Sequence, residues 1–436
     1  MSFNQWKQSE LGLIPLEWEI KCIDEVAEVI GGGTPSTKRE EYYGGAIPWI
    51  TPKDLSGFSS KYISNGERFI TDEGLRNSNA KLLPKHSVLF SCRAPIGYIG
   101  IAKNELTTNQ GIKGLICINS LVDYEFMYYK LRQLTENLES IAGGSTFKEI
   151  STNSLRQFKI ALPPLEEQRL IKNILSNIDS KIELNKLINK NLLEIEEAIF
   201  KHWFIDYELP NEFRKHYKTD EVDLKQSELG MIPIDWSVMS IGEVGQVVSG
   251  GTPSTKIPEY YEGNISWITP KDLSNYKEKF IKKGKRSISE LGLIKSSAKL
   301  MKKNTVLFTS RAPIGYIVIA DNEVCTNQGF KSIICNEEYV VPNYLYNVLK
   351  YQKHKICSIA NGSTFQEISK TSMENYKIIV PSLAIQNHFN KIINKNDRMM
   401  KKNLRENELL ESIRDLLLKN LLKGKIRVTV KNNNKL

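Results

Sequence analysis

Lys, Arg, Asn and Gln stand at a few fixed places in this chain, in contexts suited to holding anions or reading the edges of bases. Arg93 and Arg311 each precede an Ala-Pro-Ile-Gly turn. A guanidinium there can contact a base or a phosphate, or close a surface salt bridge. Asn109-Gln110 and Asn327-Gln328 lie between Thr and Gly. Their amides can read adenine through two hydrogen bonds; the same residues are also ordinary turn chemistry. Ser145-Thr146-Phe147-Lys148 and Ser363-Thr364-Phe365-Gln366 offer hydroxyls and amides after a Gly. They suit either a phosphate-facing loop or a helix N-cap backed by Glu149 or Glu367. Lys38 and Lys256 close the run Gly-Gly-Thr-Pro-Ser-Thr-Lys, and Lys53 and Lys271 sit in Trp-Ile-Thr-Pro-Lys-Asp-Leu-Ser. These four lysines are candidate phosphate contacts.

The patterns that catalysis needs are missing from both copies of this set. Gly31–Lys38 has the composition of a phosphate loop without the Gly-x-x-x-x-Gly-Lys-Ser/Thr spacing, and its Pro removes an amide such a loop requires. There is no Gly-x-Gly-x-x-Gly, no Asn-Pro-Pro-Tyr of the base-flipping methyltransferases, and no His/Glu metal motif. Asp54 and Asp272 recur beside Lys53 and Lys271, but a neighbouring Asp and Lys are no catalytic site.

The doubling extends to the whole chain. Each motif returns 218 residues later, half of 436. A repeat this long is a duplicated domain, since solenoid units are far shorter. In the first half, Ile47–Thr51, Val88–Ser91, Ile96–Ala102, Leu115–Ile118 and Phe158–Leu162 read as short strands of a mixed sheet. Tyr124–Leu138 has helical spacing and should pack on that sheet, and Pro163-Pro164 closes the block.

A heptad pattern follows from Leu165 to about Phe204. Ile171, Ile178, Asn185, Leu192 and Ile199 form one row, with Ile174, Ile188 and Ile195 three residues after members of it. Forty residues of helix span roughly 60 Å. The second half repeats this with Phe389, Asn396, Asn403, Leu410 and Leu417, flanked by Ile392, Met399 and Ile413. Asn185 and Asn403 occupy matching places, where a polar core residue fixes register. The two helices are expected to pack on each other; an intermolecular coiled coil is the alternative. His202-Trp203-Phe204 then caps the helix pair or meets a partner. The polar stretch Asp206–Lys225 reads as a linker, and the tail Lys431–Leu436 as disordered.

Bulk properties fit a polyanion binder or a Lys-rich surface. The formal net charge is +10, with 40% hydrophobic and 25% charged residues. No secretory signal or membrane span is expected. Cys22, Cys92, Cys117, Cys325, Cys335 and Cys357 form no Cys-x-x-Cys pair, which predicts reduced thiols in a cytoplasmic protein and no structural zinc.

Taken in order, several of these runs resemble one family. They are Glu-Leu-Gly-x-Ile-Pro-x-x-Trp, the Gly-Gly-Thr-Pro-Ser loop, Trp-Ile-Thr-Pro-Lys-Asp-Leu, Thr-Asn-Gln-Gly, Gly-Ser-Thr-Phe, and Leu-Pro-Pro-Leu-Glu-Glu-Gln at Leu162–Gln168. Nearly the whole chain resembles the DNA-specificity (S) subunits of type I restriction–modification systems. The second copy departs at Val380–Gln386, where Ala384-Ile385 replaces the acidic pair and can alter the start of the last helix. The resemblance implies an α+β fold: two repeated mixed α/β target-recognition domains separated by two long antiparallel coiled-coil helices, with pseudo-twofold symmetry. It implies no catalysis by this chain. Two modification subunits would bind it and methylate adenine with S-adenosylmethionine, and two restriction subunits using ATP and Mg can join them.

On that basis, residues 1–18 complete the helical frame and 19–163 form the first recognition domain. Residues 164–206 are the central helix, 207–235 a linker, 236–381 the second recognition domain, 382–424 the C-terminal helix and 425–436 a tail. The resemblance implies a bipartite double-stranded DNA target with a spacer of fixed length, and that spacer should be read strictly, because one helical turn moves a domain by about 5.4 Å. The blocks agree at roughly half their aligned positions, so related half-sites are expected. Divergence is concentrated in Phe58–Asn77 and Tyr276–Lys295. There Lys277, Lys279, Lys282, Lys283, Lys285 and Arg286 face Lys61 and Arg68 in the matching window. Phosphate contacts by Lys282, Lys283 and Lys285 would make the second domain dominate the salt dependence; an exposed Lys-rich loop is the other reading. Two different classes compete with the whole: a combined nuclease–methyltransferase with unrecognised catalytic residues, and a symmetric coiled-coil protein adaptor.

Overall fold

A computed structural model describes residues 6–58, 60–93, 95–143, 148–214, 223–311, 313–360 and 366–428. The chain forms two compact units: residues 1–184 with 406–436, and residues 185–405. Each contains one globular block and a stretch of each of two long helices, Leu165–Phe204 and Leu383–Leu421.

The block of the first unit is built on a mixed sheet. Its strand order is Ala27–Gly31, Ile112–Cys117, Val88–Ser91, Ile99–Ala102, Tyr62–Ile63, antiparallel except for the last pair. A smaller sheet orders Thr107–Thr108, Tyr43–Ile50 and Arg68–Ile70. The Tyr124–Gln133 helix buries Phe126, Met127, Tyr129 and Leu131 against the large sheet. The second unit repeats this order with Gly245–Ser249, Lys331–Cys335, Val306–Phe308, Ile317–Ala320 and Phe280–Ile281, under the Pro342–Tyr351 helix. The α+β class and the duplication are therefore as expected. The single helix expected over Tyr124–Leu138 is in fact two, Tyr124–Gln133 and Thr135–Ser140, separated at Leu134.

The long helices begin at equivalent residues, Leu165 and Leu383. Loss of the acidic pair therefore leaves the helix start in place. Gln168 and Gln386 explain why. Each donates to two backbone carbonyls, Leu121 and Pro163 or Tyr339 and Pro381, and accepts from the amide of Asp123 or Val341. The helices run antiparallel within the first unit, where Asp179 meets Arg414 and Lys181 meets Glu406.

The second heptad row is not the expected one. Leu175, Ile182, Asn189, Glu196 and Trp203 are buried, four residues after the first row, whereas Ile195 is exposed. In the second helix Ile393, Met400 and Asn407 are buried, and Met399 and Ile413 are exposed. Alternating spacings of four and three keep a seam on one side of a helix. The seam here includes polar residues that an apolar pattern does not reveal. Asn185 and Asn403 are both buried, and Asn403 donates to Asn189 Oδ1 at 2.9 Å.

Three end segments pack more closely than their composition suggested. Trp203 and Phe204 lie in the core of the second unit against Phe389, with ring centroids 6.1 and 5.3 Å away, so they cap the helical core as the first of the two readings held. The described part of the 207–235 linker is not a bare tether. Leu209 and Ile232 are buried in that core, Asn211–Arg214 is helical, and Leu224–Ser227 pairs with Gly230–Pro233. Trp6–Ser9 and Gly12–Pro15 form the matching hairpin of the first unit, followed by Trp18. There Trp18 donates to Glu167 at 3.0 Å, and Arg427 bonds both Glu167 and Glu17, anchoring the start of the tail. Lys431–Leu436 lies outside the described residues.

Candidate nucleic-acid interface

The motifs shared by the two blocks build one loop cluster twice. Gly33 donates to Thr108 O at 2.9 Å, Trp49 Nε1 to Gly33 O at 3.0 Å, and Tyr43 to Pro35 O at 2.7 Å. Gly251, Trp267 and Tyr261 repeat these bonds at the same three distances with Thr326, Gly251 and Pro253. A Cβ on Gly32 or Gly250 would stand 2.1 Å from the carbonyl oxygen of Asn109 or Asn327. That close backbone approach is why the loop needs glycine. Arg68 lies 4.1 Å from the ring centroid of Tyr43, and Arg286 3.9 Å from that of Tyr261. These arginines rest on aromatic faces.

Asp54 and Asp272 are scaffold. Each carboxylate accepts from the amide and hydroxyl of the Thr three residues before it, at 2.8 and 2.6 Å. Each also accepts from a backbone amide across the loop, that of Glu67 or Lys285. This is a capping box that also pins a neighbouring strand. It presents Lys53 and Lys271 to solvent in different settings. Lys53 pairs with Glu67 at 2.6 Å. In the second unit the position of Glu67 is held by Lys285, so an ion pair becomes two cations.

The nominated residues are distributed as follows. Lys38, Lys148, Lys256, Lys271, Lys283, Lys285 and Gln366 are exposed, and Lys282 is half-buried. Arg93 and Arg311 pair with Glu149 and Glu367, at 3.6 and 3.5 Å. Asn109 and Asn327 accept from the amides of Gly111 and Gly329 at 2.9 Å, and the Gln110 and Gln328 carbonyls accept from Thr34 and Thr252. A two-bond contact to adenine needs the side-chain carbonyl as well as the amino group. Here each carbonyl already accepts one bond within the loop and keeps a second lone pair. Thr146 and Thr364 lie outside the described residues.

Lys279 leaves the candidate basic face. It is fully buried and bonds Glu196 and Asp397. Its counterpart Lys61 pairs with Glu125, and Arg68 and Arg286 are the stacked pair. The surplus of the second block is therefore Lys277, Lys282, Lys283 and Lys285, where the first has Ser59, Ser64, Asn65 and Glu67.

Among the described residues no His, Cys, Asp and Glu group could hold a metal ion, and no helix is long and apolar enough to cross a membrane. The six thiols are free, and burial pushes Cys335 up to about 12. A family model described as the type I restriction modification DNA specificity domain matches residues 15–194 and again 233–412. The chain belongs to that specificity family. A relative in Methanocaldococcus jannaschii, the type I restriction enzyme MjaIX specificity subunit, is 34% identical over 98% of this chain and 97% of its own length. The HindI specificity subunit of Haemophilus influenzae is 25% identical over 86% and 89%. The type I restriction–modification S subunit from M. genitalium, a crystal structure, superposes with a TM-score of 0.54 at 20% identity, covering 93% of this chain and 96% of that one. That likeness is one of fold.

Proposed function

We propose that this chain is the non-catalytic DNA-specificity subunit of a type I restriction–modification complex. Each block reads one half of a bipartite target in double-stranded DNA, and the long helices set the spacer. The observation that carries this reading is the duplicated loop cluster: a family known for specificity domains is matched twice, and both copies keep the same framework bonds. Around that framework the exposed lysines differ, so phosphate contacts position both blocks and the second binds more strongly through charge. Asn185 and Asn403 fix helix register. Two modification subunits dock on the chain and supply S-adenosylmethionine chemistry; two restriction subunits with ATP and Mg complete a cleaving assembly in the cytoplasm.

Sequencing of modified bases in DNA from cells co-expressing the chain and its methyltransferase tests this. A methyladenine motif of two related halves around a fixed spacer is expected. Two unrelated halves would overturn the near-palindrome while leaving the subunit assignment. No new modification, with both proteins folded, would overturn the assignment and favour a protein adaptor.

A further inference from the structure

The two units attach block to helices through polar clusters at equivalent positions, but the charges are arranged differently. In the second unit Lys279, just before the Phe280–Ile281 edge strand, is 0% exposed. Its Nζ bonds Glu196 of the first long helix and Asp397 of the second, each at 2.8 Å. From the Pro342–Tyr351 helix, Asn347 donates to Glu196 at 2.6 Å, and Asn343 donates to Asp397 at 2.8 Å and to Asn390 at 2.9 Å. One block cation thus faces two helix anions, with neutral amides filling the remaining acceptors.

The first unit keeps the lysine and the aspartate and changes the rest. Lys61 stands for Lys279 and Asp179 for Asp397, but Arg414 replaces Glu196, Glu125 replaces Asn343, Tyr129 replaces Asn347 and Lys172 replaces Asn390. Arg414 and Tyr129 both bond Asp179, at 3.1 and 2.6 Å. Lys61, Lys172 and the Tyr62 hydroxyl surround Glu125. Here the block contributes two anions, Glu125 and Asp123, beside its own Lys61, and the helices contribute the cations Lys172 and Arg414 beside Asp179.

We propose that these clusters are a charge code assigning each recognition block to its own end of the helices. A first block at the second end would set Glu125 beside Glu196 and Asp397, three carboxylates around Lys61, with Asn390 where Lys172 should be. A second block at the first end would set Lys279 beside Arg414 and Lys172, with Asp179 as the shared anion. Both arrangements bury like charges, which low-dielectric surroundings penalise heavily. Mispairing with another chain is disfavoured by the same rule.

Exchange of the blocks, residues 19–163 for 237–381, tests the code. The modification readout rests on the proposed function; melting temperature does not. The block-exchanged chain should melt lower than the parent and modify its target at least about tenfold less. Adding Glu196→Arg, Asn390→Lys, Arg414→Glu and Lys172→Asn to that chain should bring both values back to within a few-fold or a few degrees of the parent. An exchanged chain as stable and active as the parent overturns the code. So does an exchanged chain that the four changes fail to improve. If the parent itself modifies nothing, the function reading fails, and the melting temperatures alone still decide the code.

Discussion

The loop clusters of the two units are nearly superposable in their bonding, whereas the block–helix junctions are not. Trp49 and Trp267 make the same bond at the same distance, and Asp54 and Asp272 cap the same turn. Yet Glu196 and Arg414, equivalent residues of opposite charge, anchor the two junctions. A feature retained in both copies is framework. The differences lie at the block–helix junctions and among the lysines around the loops, where the proposed charge code and the proposed phosphate contacts give the copies separate tasks. The motifs most visible in the sequence therefore belong mainly to the framework.

The largest contrast should come from the junction lysines. Lys279→Met leaves Glu196 and Asp397 buried without their cation, and removing one partner of a buried pair costs about 3–5 kcal/mol. Lys61→Met is milder. Lys61 retains 10% exposure, and Glu125 keeps Lys172 and Tyr62, so about 1–2 kcal/mol is expected. Hydrogen exchange in the Pro342–Tyr351 and Tyr124–Gln133 helices reads each unit separately. Equal losses would show that the two junctions are energetically equivalent despite their different partners.

A smaller difference concerns the basic run of the second block. If Lys282, Lys283 and Lys285 touch phosphates, replacing all three with Ala removes about 0.9 from the log–log salt slope for each contact. In the first unit Glu67→Lys mimics Lys285 and frees Lys53, so the slope should steepen. Titration of the specificity–modification complex onto DNA at several salt concentrations measures both. A slope unchanged in either variant would remove that face from the DNA.

Long-period features were legible in the sequence, and tertiary electrostatics were not. The limits of the first helix, Leu165 and Phe204, followed from a Pro pair and a seven-residue period. An apolar pattern misses the inward-facing row of that helix because Asn189 and Glu196 are buried while Ile195 is not. Their partners come from elsewhere: Glu278 and Asn403 for Asn189, Lys279 for Glu196. Lys279 sits in a basic run of the sequence, and a lysine's type says nothing of burial when its carboxylates lie 83 and 118 residues away. Asn109 and Gln110 have the right chemistry for adenine. Only the folded loop shows their carbonyls turned onto Gly111 and Thr34.

Acid should separate the junctions in opposite senses. Burial alone would raise Glu125, but the Tyr62 hydroxyl, Lys61 and Lys172 outweigh it and hold this carboxyl below the ordinary value of 4.5. Its contribution is present above 4.5 and is lost as pH falls through the lower folded value. Burial, reinforced by Asp397, raises Glu196 above 4.5 despite Lys279 and Asn347. Burial also raises Glu278 despite Asn189 and Lys186. For these two, the favourable contribution is present below 4.5 and is lost as pH rises through the folded value. Asp321 opposes them in the second unit: Lys401 and Lys303 overcome its burial and hold it low. Exchange protection near each junction is therefore a cleaner measure than global melting. As pH falls from neutrality through 4.5, protection of Pro342–Tyr351 should rise relative to Tyr124–Gln133, after correction for the intrinsic exchange rate. Glu196→Gln should reduce that relative rise and leave the part due to Glu278 and Glu125. Parallel behaviour of the two helices in the unaltered chain would mean that the opposite placement of these carboxylates does not govern local stability.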